Sequence, residues 1–396
     1  MSDPALCSSA LAAVPMPLTK RPPPSEAEGG STTSKRRCAD EAFEALAASV
    51  QSTEKSPKPP ASSCTAPAAE TTRDAENIPI GRADSYKGFK HLSSGAFGDV
   101  WRARHRQTGE EVAVKSLRGG ERGRAAALLR EAALLAACAG NPGVVELREV
   151  VRGGSSGTGN LYLVMEHAGP SLERVIGERR RVGRPFAEAE ARRAVRRLLR
   201  AVAMMHERGV VHCDLKPGNV LVGKGEGVRG RVMKICDLGL AMAPATVVPP
   251  PPPETTSGSS GPVLHGTLWY MAPEQLAGDV ERGGAPVDLW SIGCVMAELV
   301  AGKPIFQGTD LYKQLHDIVH LLGIPDEVSL MPLGVTGTSP SQLRGAVPEE
   351  RLSPEGFDVL RGLLEFYPRD RLTAAAALQM PWFARKDGGA ASPARA

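Results

Sequence analysis

The string His212-Cys213-Asp214-Leu215-Lys216-Pro217-Gly218-Asn219 decides the reading of this chain. It follows a helical pattern and sets an acid, a base and an amide at close spacing, which is the equipment of an in-line phosphoryl transfer. Asp214 would accept or orient the proton of an attacking hydroxyl, Lys216 would stabilise the moving phosphoryl charge, and Asn219 would hold a magnesium ion. Further on the chain reads ICDLGLA, residues 235–241, whose Asp237, eighteen residues beyond Asn219, supplies a second oxygen ligand for a hard cation.

Working back, VAVK, residues 112–115, is a β-type run ending on Lys115, whose charge suits the α- and β-phosphates of a nucleotide. Glu131 falls in a predicted helix, where an acid can pair with that lysine; alone it reads as an ordinary surface glutamate. Further upstream SSGAFGDV, residues 93–100, sets Gly95 and Gly98 between two predicted strands, where missing side chains let backbone amides approach phosphates. A glycine-bearing hairpin by itself is more often just a turn, and Ser93 stands where G-x-G-x-x-G begins. The ordered set of motifs carries the signal. Downstream, GTLWYMAPE, residues 266–274, reads as scaffold: Thr267 can hydrogen-bond toward Asp214 and Lys216, and Glu274 can pair with Arg371.

The flanking patterns give the architecture. YKGFKHL (86–92), DVWRAR (99–104) and EVAVKSL (111–117) are short β-type runs, with Thr108-Gly109 in the second turn. Residues 121–138 carry Ala and Leu at helical spacing, and VVELREVV (144–151) and LYLVMEH (161–167) add two more strands. The sum is a five-stranded antiparallel sheet with one helix. Beyond Gly169 helices dominate. Residues 187–208 carry an apolar stripe of Val195, Leu198, Leu199, Val202 and Met205 closed by Gly209. The opposite side holds Arg192, Arg193, Arg196, Arg197 and Arg200, expected as a solvated face rather than a dock for acidic partners. Residues 287–299 are apolar nearly all round, as a helix buried within a lobe should be.

Composition sets limits on function. The chain has 396 residues, 42% apolar and 23% charged, with 43 glycines and 33 prolines that suggest a part which does not pack. Residues 1–85 are rich in Ser, Thr, Pro, Ala and Glu and are expected to be a disordered tail, as are residues 385–396. Lys20-Arg21 and Lys35-Arg36-Arg37 read equally as a bipartite nuclear address or as solvating charge, so the expected location is the nucleus or the cytoplasm. The Ala/Ser-rich start fits a transit peptide as a minority reading, and Pro15 and Pro17 interrupt any secretory signal. No run is long enough to span a bilayer, and a net charge of +4, evenly spread, argues against nucleic acid. Seven scattered cysteines without CxxC spacing read as reduced thiols; Cys213 and Cys236, beside the two aspartates, are expected to be unreactive.

Taken together, residues 86–384 resemble the eukaryotic protein kinase family, through the glycine loop, VAVK, HCDLKPGN, DLG, MAPE, DLWSIGC and the closing PRDRLTAAAAL and PWF. The resemblance implies an α+β, two-lobed protein kinase fold: a small N-lobe (86–168) with the five-stranded sheet and one helix, and a larger, mainly helical C-lobe (169–384). It implies ATP and Mg2+ as cofactors and protein substrates. The nucleotide would be held by Leu92, Ser93, Ser94, Gly95, Ala96, Phe97, Gly98, Val100, Ala113, Lys115 and Glu131. Backbone groups of a hinge from Glu166 to Ala168 would meet adenine, with Met165 guarding the pocket behind. Leu238 would pack beneath Leu135 and His212. Lys216, two residues after Asp214, looks like serine/threonine rather than tyrosine kinases. LYLVMEH, GTLWY, DLWSIGCVMAEL and PIFQGTDLYKQLHDIVHLLGIPDE look most similar to cyclin-dependent kinases, especially their plant F-type branch.

Departures from that pattern bear on regulation. The helix that recognises a cyclin reads AAALLREAALL here and keeps only Arg130 and Glu131, which puts a cyclin partner in doubt. The group's inhibitory threonine and tyrosine fall on Ala96 and Phe97. Of the arginine trio that meets an activating phosphate, two fall on Cys213 and Met242, leaving Arg130, and the acceptor threonine falls on Pro262. No activation-loop phosphate is therefore expected to be needed. Met271 replaces an arginine linked to proline-directed specificity while Gly266 remains, which leaves that preference open. The proline run 249–253 reads as a solvated spacer. The competing reading is a pseudokinase scaffold that binds partners without catalysis; a P-loop protein would need lysine directly after the glycine loop. Apart from such a partner the chain is expected to be a monomer.

Overall fold

The computed structural model describes residues 78–95, 98–117, 121–153, 160–224, 231–244, 267–277, 284–323 and 340–385. Ala96, Phe97, Pro262, Gly266, the proline run, both basic clusters and residues 386–396 lie outside the described residues.

The small lobe is built from strands β1 (Ile80–Arg82), β2 (Tyr86–Ser94), β3 (Gly98–His105), β4 (Glu111–Leu117), β5 (Leu147–Arg152) and β6 (Leu161–Glu166), with helix α1 (Glu121–Ala137) between β4 and β5. Side chains alternate across β4: Val112 and Val114 bury with Tyr86, Ala103, Val151 and Val164 on one face, and Ala113 and Lys115 turn to the other. The sheet order is β1-β5-β6-β4-β3-β2. This corrects the expected five antiparallel strands. Among the described residues there are six, and β1 lies parallel to β5, Ile80 opposite Val150, so the sheet is mixed. β1 also falls inside the stretch assigned to the tail. Three residues with Ile80 80% exposed carry no periodicity, and the strand exists because it pairs with an edge about 70 residues away.

A consequence follows for the shape of the sheet. β1 and β2 occupy opposite edges, about 24 Å apart in a flat six-stranded sheet. The chain from Arg82 to Tyr86 spans at most about 15 Å. The sheet is therefore curled, and the Tyr86 hydroxyl donates to the Glu149 carboxylate of β5 at 2.5 Å across the gap.

The large lobe contains α2 (Leu172–Arg181), α3 (Glu188–Glu207), the hairpin of β7 (Val220–Lys224) and β8 (Arg231–Ile235), α4 (Pro273–Leu276), α5 (Pro286–Ala301), α6 (Leu311–Leu322), α7 (Leu343–Ala346), α8 (Pro354–Leu363), α9 (Ala374–Leu378) and α10 (Pro381–Ala384). The α3 stripe is buried as its spacing requires, and Gly209 follows at φ 73, a left-handed cap that β-carbons resist. Every residue of α5 from Val287 to Val300 is buried. The arginine side of α3 is not the solvated face expected. Arg192 is only 6% exposed, Arg196 donates to the Phe383 carbonyl and sits 5.5 Å from that ring, and of the five only Arg200 is exposed. The closing helices pack against this side, so the arginine stems serve as apolar surface. No helix among the described residues is long and apolar enough to cross a membrane.

Candidate active site

Register brings distant residues together. Across β2, β3, β4 and β6, Ser93 lies opposite Val100, Val100 opposite Lys115, and Lys115 opposite Leu163; one step along, Ala113 faces Met165. Lys115 therefore emerges beside the glycine-bearing turn, on the face that also carries Ala113 and Met165. Leu92, Ser93 and Ser94 are exposed at the end of β2, and across the turn the Gly95 N–H donates to the Gly98 carbonyl at 2.8 Å and the Gly98 N–H to the Gly95 carbonyl at 3.4 Å. In the β7–β8 hairpin Val220 pairs with Ile235, which sets the residues just outside it, Asn219 and Cys236, side by side: the Cys236 N–H donates to the Asn219 carbonyl at 3.0 Å. Asp237 is the next residue.

Lys115, 5% exposed, donates to both Glu131 oxygens at 2.7 and 2.8 Å and to Asp237 Oδ1 at 2.7 Å. Burial opposes its charge, but the two carboxylates outweigh that and hold its pKa above the usual lysine value. Burial likewise works against the Asp237 anion, and Lys115 overcomes it, so the Asp237 pKa lies below the usual range. Asp237 adopts φ 65, ψ 71, a left-handed conformation. A β-carbon on Gly239 would come within 3.3 Å of Asp237 Oδ1, so the backbone passes hard against this carboxylate.

Asp214 is fixed through both oxygens. Its Oδ1 accepts the Thr267 N–H at 2.8 Å, and its Oδ2 accepts Lys216 Nζ at 2.7 Å and Asn219 Nδ2 at 3.1 Å. Lys216 also donates to Thr267 Oγ1 at 2.5 Å, so Thr267 clamps both catalytic candidates. A carboxylate has about four lone-pair sites, which leaves one on Oδ1 for a further donor. Asn219 spends its amide hydrogens on Asp214, its carbonyl included at 2.9 Å, so its side-chain oxygen remains an acceptor. Among the described residues no three His, Cys, Asp or Glu cluster to hold a metal by themselves. Two protein oxygens, from Asn219 and Asp237, suit a hard cation that takes its other ligands from phosphates and water.

Sequence reasoning missed the residues that hold this machinery. Asp288 of α5 is fully buried; it accepts the N–H of His212 at 2.8 Å and of Cys213 at 2.9 Å, and its Oδ2 lies 2.9 Å from His206 Nε2. The available signal was that Asp288 is one of two acids, with Glu298, in a helix otherwise apolar nearly all round. Lys234 of β8 donates to Glu166 at 2.7 Å, and Glu166 also accepts the Glu146 N–H at 3.1 Å, tying the hinge to the large lobe. Ala168 runs so close to β7 that a β-carbon on Gly223 would lie 2.4 Å from its carbonyl oxygen. Leu135 and Leu238 are buried in one core that runs through both lobes, and His212 is buried with them. Burial pushes the Cys236 thiol up to about 12 and raises Cys213 as well. Glu274 and Arg371 form a buried pair at 2.6 and 3.0 Å.

Comparison with known proteins agrees with this geometry. Residues 86–383 match the protein kinase domain family. A putative cyclin-dependent kinase F-2 of Oryza sativa subsp. japonica is 46% identical over 319 residues, 77% of this chain and 91% of the relative. Cyclin-dependent kinase B2-1 of Arabidopsis thaliana is 34% identical over 318 residues, covering 77% of this chain and 96% of the relative. Mitogen-activated protein kinase 15 of Mus musculus is 34% identical over 318 residues, 76% of this chain and 54% of its own length. The chain belongs to the protein kinase family. Within it, the chain is a serine/threonine kinase of the kind that resembles cyclin-dependent kinases.

Proposed function

We propose that the chain transfers the γ-phosphate of Mg-ATP to serine or threonine hydroxyls of proteins, and does so without a phosphate on its own activation loop. The observation that carries the reading is the convergence of Lys115, Glu131 and Asp237 within hydrogen-bond contact, beside Asn219 and Asp214. Lys115, aimed by Glu131, would hold the α- and β-phosphates. Asn219 and Asp237 would hold magnesium, which neutralises phosphate charge when bound. Asp214 would accept the substrate hydroxyl's O–H at the remaining lone pair of Oδ1 and orient it in line, while Lys216 offsets charge on the moving phosphoryl group.

Independence from loop phosphorylation rests on what surrounds Arg130. Val211 and Met242 pair through backbone bonds at 2.7 and 2.8 Å, which brings Met242 beside Cys213, where the related kinases would supply two more arginines. Arg130 is left with a buried Nε that has no hydrogen-bond partner among the described residues, and burial lowers its pKa. One cation so placed binds a phosphate far more weakly than three. The closed Lys115–Glu131 pair is the arrangement that nucleotide binding by Lys115 requires.

The test is a phosphorylation assay with ATP and Mg2+ on generic protein substrates, using wild type, phosphatase-treated wild type and Asp214→Asn, each with and without candidate cyclins. The expected outcome is equal activity in the first two and a loss of about 10²–10⁴-fold in the variant. Equal activity in Asp214→Asn would exclude this site as the catalyst and favour the scaffold reading. Loss on phosphatase treatment would overturn the loop argument alone.

A further inference from the structure

Helix α2 buries Leu172, Val175 and Ile176 in the main core and leaves its other side to solvent. On that side lies a hollow of ≈ 500 Å³ lined by Arg174, Gly177, Glu178, Arg180 and Arg181. Gly177 makes its floor: a β-carbon there would meet nothing within 4 Å, and Arg174, Arg180 and Arg181 stand one turn away along the helix. Among the described residues the one carboxylate in the lining is Glu178, which accepts Arg174 Nε at 2.9 Å. Arg179 turns aside to both oxygens of Glu190 at 2.7 Å.

Arg180 and Arg181 have no such partner. Both are exposed, as are Arg184 and Lys303, and among the described residues none of these four side chains makes a hydrogen bond or ion pair. Lys303 shares the surface because it follows Gly302, whose β-carbon would lie 3.8 Å from that of Pro185, the neighbour of Arg184. Glu298, a carboxylate within electrostatic reach of Arg180, is buried and already accepts the Tyr270 hydroxyl at 2.7 Å. Cations in the last turn of a helix answer its dipole, but the effect fades beyond that turn and accounts for neither Arg184 nor Lys303. The surface holds cations in surplus and suits an anion.

Its position selects which anion. α2 starts beside the catalytic loop: Ser171 bridges to Leu221, and a β-carbon on Gly218 would lie 3.4 Å from Glu173 Oε2. From Glu173 to Arg181 the helix rises about 12 Å. An extended chain covers about 3.3 Å per residue, so a substrate whose hydroxyl sits at Asp214 would bring residues about four to six positions away over the hollow. Nearer positions would meet the exposed acid Glu173. At the far end carboxylates fit, since a guanidinium fork takes a carboxylate through two parallel hydrogen bonds.

We propose that this surface holds an acidic stretch of the protein substrate, its Asp or Glu side chains about four to six residues from the acceptor and paired to Arg180, Arg181, Arg184 and Lys303. This substrate class rests on the kinase reading of the site and extends it.

The test is steady-state turnover by the full chain at saturating Mg-ATP. The peptides carry one serine and, about four to six residues to its N-terminal or C-terminal side, a block of three aspartates, three lysines or three alanines. In wild type one of the two aspartate peptides should show a KM about tenfold below that of its alanine counterpart at similar kcat, the gain that three exposed ion pairs supply. Arg180→Glu/Arg181→Glu/Arg184→Glu should lose that preference, favour the lysine peptide instead, and turn over the alanine peptide as wild type does. Equal KM values for aspartate and alanine peptides in wild type, or a preference kept in the variant, would overturn the proposal and leave the kinase reading standing. A preference that appears only in Asp40→Asn/Glu41→Gln/Glu44→Gln would assign the surface to the chain's own acidic stretch and overturn it as well. No turnover of these peptides or of generic protein substrates by wild type would sink the kinase reading, and the proposal with it.

Discussion

Cys213 adopts φ 66 without being a glycine, which costs on the order of 1–3 kcal/mol. Its N–H bonds to Asp288 and its carbonyl accepts Gln275 Nε2 at 3.1 Å, and these buried contacts hold the turn that presents Asp214. The thiol itself is a packing group. Burial pushes the Cys236 thiol up to about 12, so the reactive thiolate is a small minority at pH 8. Iodoacetamide at pH 8 should leave Cys213 and Cys236 unmodified in the native chain and label both after unfolding, as read by peptide mass; native labelling at either position would show a reactive thiol. Asp214, Lys216, Asn219 and Asp237 were legible in the sequence because phosphoryl transfer admits few residue types in few spacings. Asp288 was not, because its partners are backbone N–H groups about 75 residues away that no local pattern names.

Elements follow the same division. Five strands could be read from period-two alternation, and α3 and α5 from their apolar faces, since burial writes itself into local sequence. β1 could not, because its only support is an edge pairing. A chain beginning at Tyr86 should unfold with about 1–3 kcal/mol less stability than one beginning at Ile78, through lost ladder bonds; equal urea midpoints and slopes would show that β1 contributes nothing. The arginines of α3 were misread because charge pattern cannot tell which face α10 will cover. Glu274 of α4 and Arg371 lie buried, and Arg371 also donates to the carbonyls of Pro286 at 2.8 Å and Glu365 at 3.0 Å. Glu274→Gln should therefore cost roughly 3–5 kcal/mol in denaturant unfolding, because it strands a buried guanidinium; a cost under about 1 kcal/mol would mean that the carbonyls suffice.

At the scale of the whole molecule, two lobes share one hydrophobic core and a hinge tied by Lys234 and Glu166, and the candidate site lies where they meet. β4 and α1 contribute Lys115 and Glu131, and the loops flanking β7 and β8 contribute the other groups. The measurement that tests this most directly is calorimetric titration of ATP into the full chain, with and without Mg2+, for wild type and Asp237→Asn. Mg2+ should tighten ATP binding in wild type by about tenfold, or about 1.4 kcal/mol, and have no such effect in the variant. Full Mg2+ dependence retained in Asp237→Asn would contradict the claim that these side chains gather around one metal-bound triphosphate.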